Sequence, residues 1–451
     1  MKIEIYSLGT IEKATLELKP FTVFIGENST GKTWTAYTLS AILGSYGYEN
    51  YLKTYLDGKI QPTYLPLDEA IKQVLEEGYV QMDIVQFVKD YTEIYVNDVA
   101  CFAKNWMPKF MNTKRATFDN LWIHFDFSPE LKTALVNKII ASPVVSKSSI
   151  GNKEDSLNVV KEAGESILYL YSEGEILNKL PRRMIQEFCL RQLFDILRKN
   201  LYSEVHVFPT ERIDFKLQPE GTFKALFQEG QVEQVFLPFG QRTIMVSPKQ
   251  RQKEIEKTPK ILEYVQLAEY LETNILGGCV DFDDSKLGNE LVFQMEGGTK
   301  LELSIASSMV KELAPLVLYL RYLAKENDWI IIDEPEMNLH PTAQVKLTEF
   351  LAILVNAGLH VLITTHSPYI VDHLANLMQA AQYENKEDIK ELFYLEQIDA
   401  FIPQEQVSIA LFENGTTRHL IDEKGTVDWK TFSHVCSDIS SIFPQLMTTT
   451  D

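Results

Sequence analysis

The sequence predicts an α/β protein in which a largely parallel sheet is preceded by antiparallel N-terminal strands and interrupted by helical insertions. Three observations carry this prediction. Apolar strands and amphipathic helices alternate through 329–332, 342–355 and 360–364, the pattern of parallel strands joined by crossovers. A continuous apolar run at Phe21, Val23, Phe24 and Ile25 leads into a glycine-bearing loop and a helix, as expected of a strand buried on both faces. Between 45 and 200, apolar residues instead recur mainly at helical spacing.

Taken in order, strands are expected over 2–6, where Ile3 and Ile5 alternate, and over 14–18, where Ala14, Leu16 and Leu18 do. Pro20 separates these from the apolar strand, and a helix starts near Lys32. Leu67, Ala70, Ile71, Val74 and Leu75 share one helical face, as do Ile84, Phe87, Val88 and Tyr91. The polar, Ser/Lys-rich stretch 142–156 reads as an exposed loop. Pro181 is a favoured first-turn residue and opens a helix carrying Ile185, Phe188, Cys189, Leu193, Ile196 and Leu197 on one side. A strand over 204–208 ends in FPTER, and a second insertion with a helix near 261–271 follows. Strands over 291–295 and 300–304 and a helix over 310–325 precede the alternating segment. Asn414-Gly415 between apolar runs predicts a hairpin. The expected organisation is therefore an N-terminal lobe over 1–44, a helical insertion over 45–200, a returning strand over 201–212, a second insertion over 213–274 and a C-terminal lobe over 275–451.

The chain has 451 residues, enough for two or three domains. Its 45% hydrophobic and 24% charged residues match a soluble globular protein and exclude a fibrous or wholly disordered one. No apolar run reaches the roughly 18 residues a membrane span requires, and the N-terminus alternates where a signal peptide would carry basic and apolar regions. A cytoplasmic protein without a membrane partner is expected. The net charge of −20 argues against a surface that coats nucleic acid, because that affinity comes from cations displacing counterions. Two basic clusters, Arg182, Arg183, Arg191, Arg198 and Lys199, and Lys249, Arg251, Lys253, Lys257 and Lys260, could line a groove for DNA or RNA, although a solvated helix face is the default reading. Cys101, Cys189, Cys279 and Cys436 lack CxxC spacing and read as buried free thiols. The acids Asp281, Asp283 and Asp284 read as a strand-end turn.

Gly26, Glu27, Asn28, Ser29, Thr30, Gly31, Lys32 and Thr33 satisfy GxxxxGK[ST] between an apolar strand and a helix, the context this phosphate-binding loop requires. Lys32 would reach the β and γ phosphates of ATP and the Thr33 hydroxyl would ligate Mg²⁺. The apolar strand ending in Asp333 and Glu334 places Asp333 to hold the metal and Glu334 to polarise the attacking water. His366 follows another apolar strand at the sheet edge where ligands collect.

As a set, GENSTGKT, WIIIDEPEMNLHP and VLITTHSPYIV resemble the ABC-type ATPase heads of the SMC, RecF and OLD (overcoming lysogenization defect) group. That resemblance implies a P-loop NTPase fold of the ABC-type head, split by an inserted arm, with ATP and Mg²⁺ as cofactors. It further implies that Glu334 acts on the hydrolytic water, that His366 senses the γ-phosphate, and that Asn338 lies in the D-loop. Ser307 and Ser308 occupy the signature position, which binds the γ-phosphate of a partner subunit, with Met309 standing where a glycine is usual. The resemblance assigns no glutamine-loop residue among Gln61, Gln73, Gln81 and Gln86. FPTER, the ELAPL run and the short arm are similar to standalone ATPases of antiphage systems such as Septu, PARIS and retron-associated modules. The resemblance thus implies a homodimer or higher oligomer that controls a separate effector, a nuclease or toxin. A DNA repair or chromosome-maintenance ATPase is the alternative. No glutamate followed by DxD occurs after His366, so a Toprim nuclease domain is not expected there.

Overall fold

The computed structural model describes residues 1–60, 64–149, 155–210, 215–218, 222–225, 255, 258–283, 290–422, 427 and 441–442. The chain forms two compact units. One takes in Met1–Leu8 and Tyr37–Val205, the other Gly9–Ala36 and the described residues from His206 onward. Among the described residues no helix is long and apolar enough to cross a membrane.

The second unit is organised by a sheet. Its strands run in the order Ile11–Glu17, Thr416–His419, Val407–Glu413, Phe21–Gly26, His360–Thr365, Trp329–Asp333 and Val205–Phe208. Val407–Glu413 and His360–Thr365 flank Phe21–Gly26 in parallel, and Trp329–Asp333 is parallel to His360–Thr365. Phe21–Gly26 and Trp329–Asp333 are buried at every position, so neither alternates in sequence. Helices Ser308–Tyr322, Pro341–Asn356 and Pro368–Ala381 contribute to the same apolar core, including Val317, Leu354, Leu374 and Leu377. Asn414 and Gly415, with φ of 49° and 73°, make the hairpin turn that their sequence predicts. A three-stranded antiparallel sheet, Gly278–Asp283, Glu290–Met295 and Lys300–Glu302, completes this unit. Asp281 and Asp283 lie within the strand Gly278–Asp283, where the sequence suggested a strand-end turn, and Asp284 lies outside the described residues.

The first unit contains the expected helices, Ser45–Leu56, Leu65–Glu77, Ile84–Phe110 and Arg182–Leu201, but it is not purely helical. Four antiparallel strands, ordered Tyr79–Asp83, Ile167–Glu173, Ser156–Lys161 and Val144–Ser149, form a separate sheet. The expected loop over 142–156 thus contributes a strand, Val144–Ser149. Its side chains are mostly exposed and serine-rich, which removes the apolar alternation that would have revealed it. The unit's core centres on Phe194, whose ring lies 5.3–5.6 Å from those of Tyr51, Tyr55, Tyr64 and Tyr95. The Asp98 carboxylate accepts from the Tyr51 and Tyr64 hydroxyls at 2.9 and 2.8 Å, satisfying the polar tips of those rings.

Trp122–Asp126 pairs with Lys2–Leu8, and its other edge is closed by side chains. Asn97 donates to the Phe125 carbonyl and accepts from the Phe125 N–H at 2.9 and 2.8 Å, and Glu93 accepts from the Phe127 N–H at 2.9 Å. Capping an edge in this way protects it from pairing with other chains. The basic face of Arg182–Leu201 is likewise engaged. Arg183 pairs with Asp57, Arg191 with Glu49 and Glu187, Arg198 with Asp195 and Glu204, and Lys199 with Asp195. In the other cluster, Lys260 pairs with Glu263, while Lys249, Arg251, Lys253 and Lys257 lie outside the described residues. Of the cysteines, Cys189 is buried, but Cys279 is half-buried and Cys101 exposed, contrary to the sequence reading, because Cys101 falls on the outer face of Ile84–Phe110; Cys436 lies outside the described residues.

Lys161 is fully buried, and its ammonium donates to the carbonyls of Ile140, Ser142 and Glu162 at 3.1, 2.8 and 2.9 Å. It thereby ties the last turn of helix Pro129–Ala141 to the sheet, and burial pushes its pKa down. Lys161→Met keeps the stem but removes the donor from these carbonyls. Urea titration should show a loss of about 3 kcal/mol; a loss below about 0.5 kcal/mol would mean the carbonyls find other partners.

Candidate active site

The loop Gly26–Thr33 leaves the strand Phe21–Gly26 and enters helix Lys32–Leu43. Both of its glycines are required. Gly26 has φ of 153°, and a Cβ there would lie 2.4 Å from the Phe412 carbonyl oxygen. Gly31 has φ of 100°, and its Cβ would meet Ile11 at 2.8 Å. Lys32 is buried, and its ammonium donates to the Gly26 and Glu27 carbonyls at 2.8 and 2.7 Å. Thr30 also donates to the Glu27 carbonyl at 2.8 Å. The loop is therefore closed on its own lysine, and an arriving phosphate must exchange these bonds for its own. Gly9, Thr10, Asn28, Ser29, Thr30, Gly31, Lys32, Thr33, Trp34 and Glu334 line a pocket of about 390 Å³ beside it.

The carboxyl ends of neighbouring strands converge on Asp333. Thr33 donates its hydroxyl to Asp333 Oδ1 at 2.8 Å, Thr364 donates to the same oxygen, and Thr210 donates to Oδ2 at 2.5 Å. Register explains part of this, since Asp333 stands opposite Thr364 and Thr364 opposite Phe24. The donor set fits a hard divalent cation: the Thr33 hydroxyl and the Asp333 carboxylate are adjacent oxygens of the kind that would hold Mg²⁺.

Glu334 follows with φ of 47°, outside the range comfortable for a non-glycine residue. Its N–H is held by the Thr364 carbonyl at 3.0 Å and hydroxyl at 3.1 Å. Burial, and then the neighbouring Asp333 charge, push its pKa up, partly offset by His366 and Lys32. Lys32 shifts down by burial, which the carboxylates of Glu334, Asp333 and Glu336 oppose. Burial disfavours the charged form of each group, which moves the acid up and the base down. His366 Nδ1 stands 3.8 Å from Glu334 Oε1 and 3.4 Å from Glu336 Oε1.

Ser307 and Ser308 are exposed at the start of helix Ser308–Tyr322, where the Ser307 hydroxyl caps the Val310 N–H at 3.3 Å. Neither they nor Asn338 lines the Lys32 pocket. Asn338, with φ of 61°, donates to Glu312 on the Ser307-capped helix at 3.4 Å. Met309 packs against the core and has no positive φ, so the backbone there does not demand the usual glycine. Gln73, Gln81 and Gln86 belong to the other unit, and Gln61 lies outside the described residues. Among the described residues, Thr210 stands beside Asp333. Sequence reasoning missed Thr210, Thr364 and Glu336. The available signals were a hydroxyl residue just beyond or at the end of an apolar strand, and a third acid two positions after Glu334.

Two variants probe this geometry. Lys32→Ala removes the cation facing the phosphates, and calorimetry should show nucleotide binding lost. Thr210→Val removes one of the hydroxyls on Asp333 and should raise the Mg²⁺ concentration for half-maximal nucleotide binding by about tenfold, as outer-shell losses do; an unchanged Mg²⁺ titration would show that Thr210 does not orient the carboxylate.

Residues 1–371 match the family model described as AAA ATPase domain, AAA_15. The Old nuclease of Escherichia phage P2 is 34% identical over 90 residues, 20% of this chain and 15% of that protein. The chain thus spans well under a fifth of that relative's length. Among solved structures, an SMC head bound to the C-terminal winged-helix domain of ScpA is 10% identical, covering 93% of this chain and 95% of that one at a TM-score of 0.39. The SMC head domain of Thermotoga maritima is also 10% identical, covering 93% and 97% at a TM-score of 0.27. Likeness at that level adds nothing to what the sheet order and the loop geometry establish. A match over most of the chain, with its phosphate loop, Asp333 and Glu334 gathered at one sheet edge, means that this protein belongs to the AAA_15 family of AAA ATPase domains.

Proposed function

We propose that the chain binds ATP with Mg²⁺, hydrolyses it, and acts as an oligomeric switch on a separate effector protein in antiphage defence. The observation that carries the hydrolytic part is the convergence of Lys32, Thr33, Asp333 and Glu334. The loop amides and Lys32 would bind the phosphates, with Thr33 and Asp333 holding Mg²⁺, which neutralises phosphate charge when bound. Glu334, its affinity for a proton raised by burial, accepts the proton of the attacking water. His366, beside Glu334, would face the γ-phosphate.

The exposed Ser307 and Ser308, absent from the lining of their own pocket, support completion of the site by a second copy. Closure of two heads would then report the nucleotide state to whatever the inserted helices touch. The effector, a nuclease or toxin, and the defence setting are proposed from the resemblance of FPTER, the ELAPL run and the short arm to standalone antiphage ATPases.

Glu334→Gln should bind ATP but turn over at least about a hundredfold more slowly, the range for a lost general base. Light scattering should show it accumulating as an ATP-dependent oligomer, and adding Ser308→Arg should return it to the nucleotide-free mass. Turnover at the wild-type rate would move the base elsewhere; a mass indifferent to ATP would remove the oligomeric switch.

A further inference from the structure

Glu336, two positions after Glu334, is a buried acid in the turn that follows Trp329–Asp333. It is 4% exposed. Its Oε1 accepts the Thr365 hydroxyl at 2.6 Å and the His366 N–H at 2.9 Å. Thr365 Oγ in turn accepts the Ser367 N–H at 2.9 Å. Its own backbone is fixed by the Leu339 N–H donating to the Glu336 carbonyl at 3.0 Å. One carboxylate oxygen thus joins the turn after Trp329–Asp333 to the three residues that leave His360–Thr365. The other oxygen, Oε2, is buried without a hydrogen-bond partner among the described residues.

A buried carboxylate is expensive to keep in place, because an unmatched charge inside a protein must be compensated by hydrogen bonds. Here the compensation goes to one backbone N–H and one hydroxyl, both on the His366 turn. Fixing that N–H fixes the start of the His366 side chain, and Oε1 is also 3.4 Å from its Nδ1. With Glu334 3.8 Å away on the same nitrogen, Nδ1 is turned toward two carboxylates and Nε2 is the nitrogen left to meet a ligand. The His366 ring is about half exposed, so packing does not hold it and the carboxylate must.

We propose that Glu336 is a positioning residue that holds the His366 turn in its reactive geometry by accepting the His366 N–H and the Thr365 hydroxyl. It acts through His366 and touches no substrate. This rests on the ATPase reading above for its consequence in turnover, but its structural content does not. Glu336→Ala removes the acceptor, whereas Glu336→Gln retains an oxygen that can accept both bonds without the charge.

The test combines turnover, nucleotide affinity and hydrogen–deuterium exchange of a peptide covering 364–369 in the full chain. In Glu336→Ala, kcat should fall about tenfold or more, the nucleotide Kd should stay within about threefold, and protection at 364–369 should drop. In Glu336→Gln, kcat and protection should return to within about threefold of wild type. If Glu336→Ala does not fold, Glu336→Gln decides alone, and a loss of more than about tenfold in kcat with intact protection overturns the anchoring role, since the acceptor is still present. Unchanged protection in a folded Glu336→Ala overturns it equally. Wild-type protein without turnover would count against the ATPase reading instead, and the exchange experiment would still judge Glu336.

Discussion

The carboxylate of Asp333 is the point on which this site depends. Three hydroxyls from separate stretches of chain, Thr33, Thr210 and Thr364, donate to it. Thr33 lies in the helix after Phe21–Gly26, Thr210 follows Val205–Phe208 and Thr364 lies near the end of His360–Thr365, so the order and register of one sheet bring them together. A carboxylate in a buried position needs such donors. Satisfying it also aligns the loop helix, the returning strand and the Glu334 turn, with no loop having to find its place unaided. A change that shifts register at Trp329–Asp333 would move every functional group together.

Charge organises what register assembles. Lys32 lies among Asp333, Glu334 and Glu336, and burial works against the charges of Lys32 and Glu334. The loop resolves this by giving the ammonium two of its own carbonyls. Nucleotide phosphates would offer stronger, charge-assisted acceptors, so binding is an exchange of partners at a preformed cradle. The left-handed backbone at Glu334 belongs to the same arrangement, since the Thr364 carbonyl and hydroxyl hold its N–H from the neighbouring strand.

Much of this was legible in the sequence. The phosphate loop, the strand ending in Asp333 and Glu334, the strand before His366 and the Asn414-Gly415 hairpin each carry a local signal, and each forms as read. The four-stranded sheet of the first unit was not legible. Its strand Val144–Ser149 is serine-rich and faces solvent, and its neighbour Ser156–Lys161 is buried almost throughout with a lysine at its end, so neither alternates. Thr210, Thr364 and Glu336 were invisible for another reason. Their roles are pairings across 29 to 123 residues of sequence, and only the sheet brings those partners together. Asn97 sealing the edge at Phe125 is a similar case, a helix residue whose purpose lies in a strand 28 residues away.

The most direct test of the central claim is a structure of the protein with Mg²⁺ and a nonhydrolysable ATP analogue. The account predicts phosphates in the pocket at Gly26–Thr33, with the Lys32 ammonium moved from the Gly26 and Glu27 carbonyls onto the β and γ phosphates. It also predicts a cation between Thr33 and Asp333, and Glu334 beside the γ-phosphate. Nucleotide bound elsewhere, or Lys32 still closed on its own loop with the pocket filled, would contradict it.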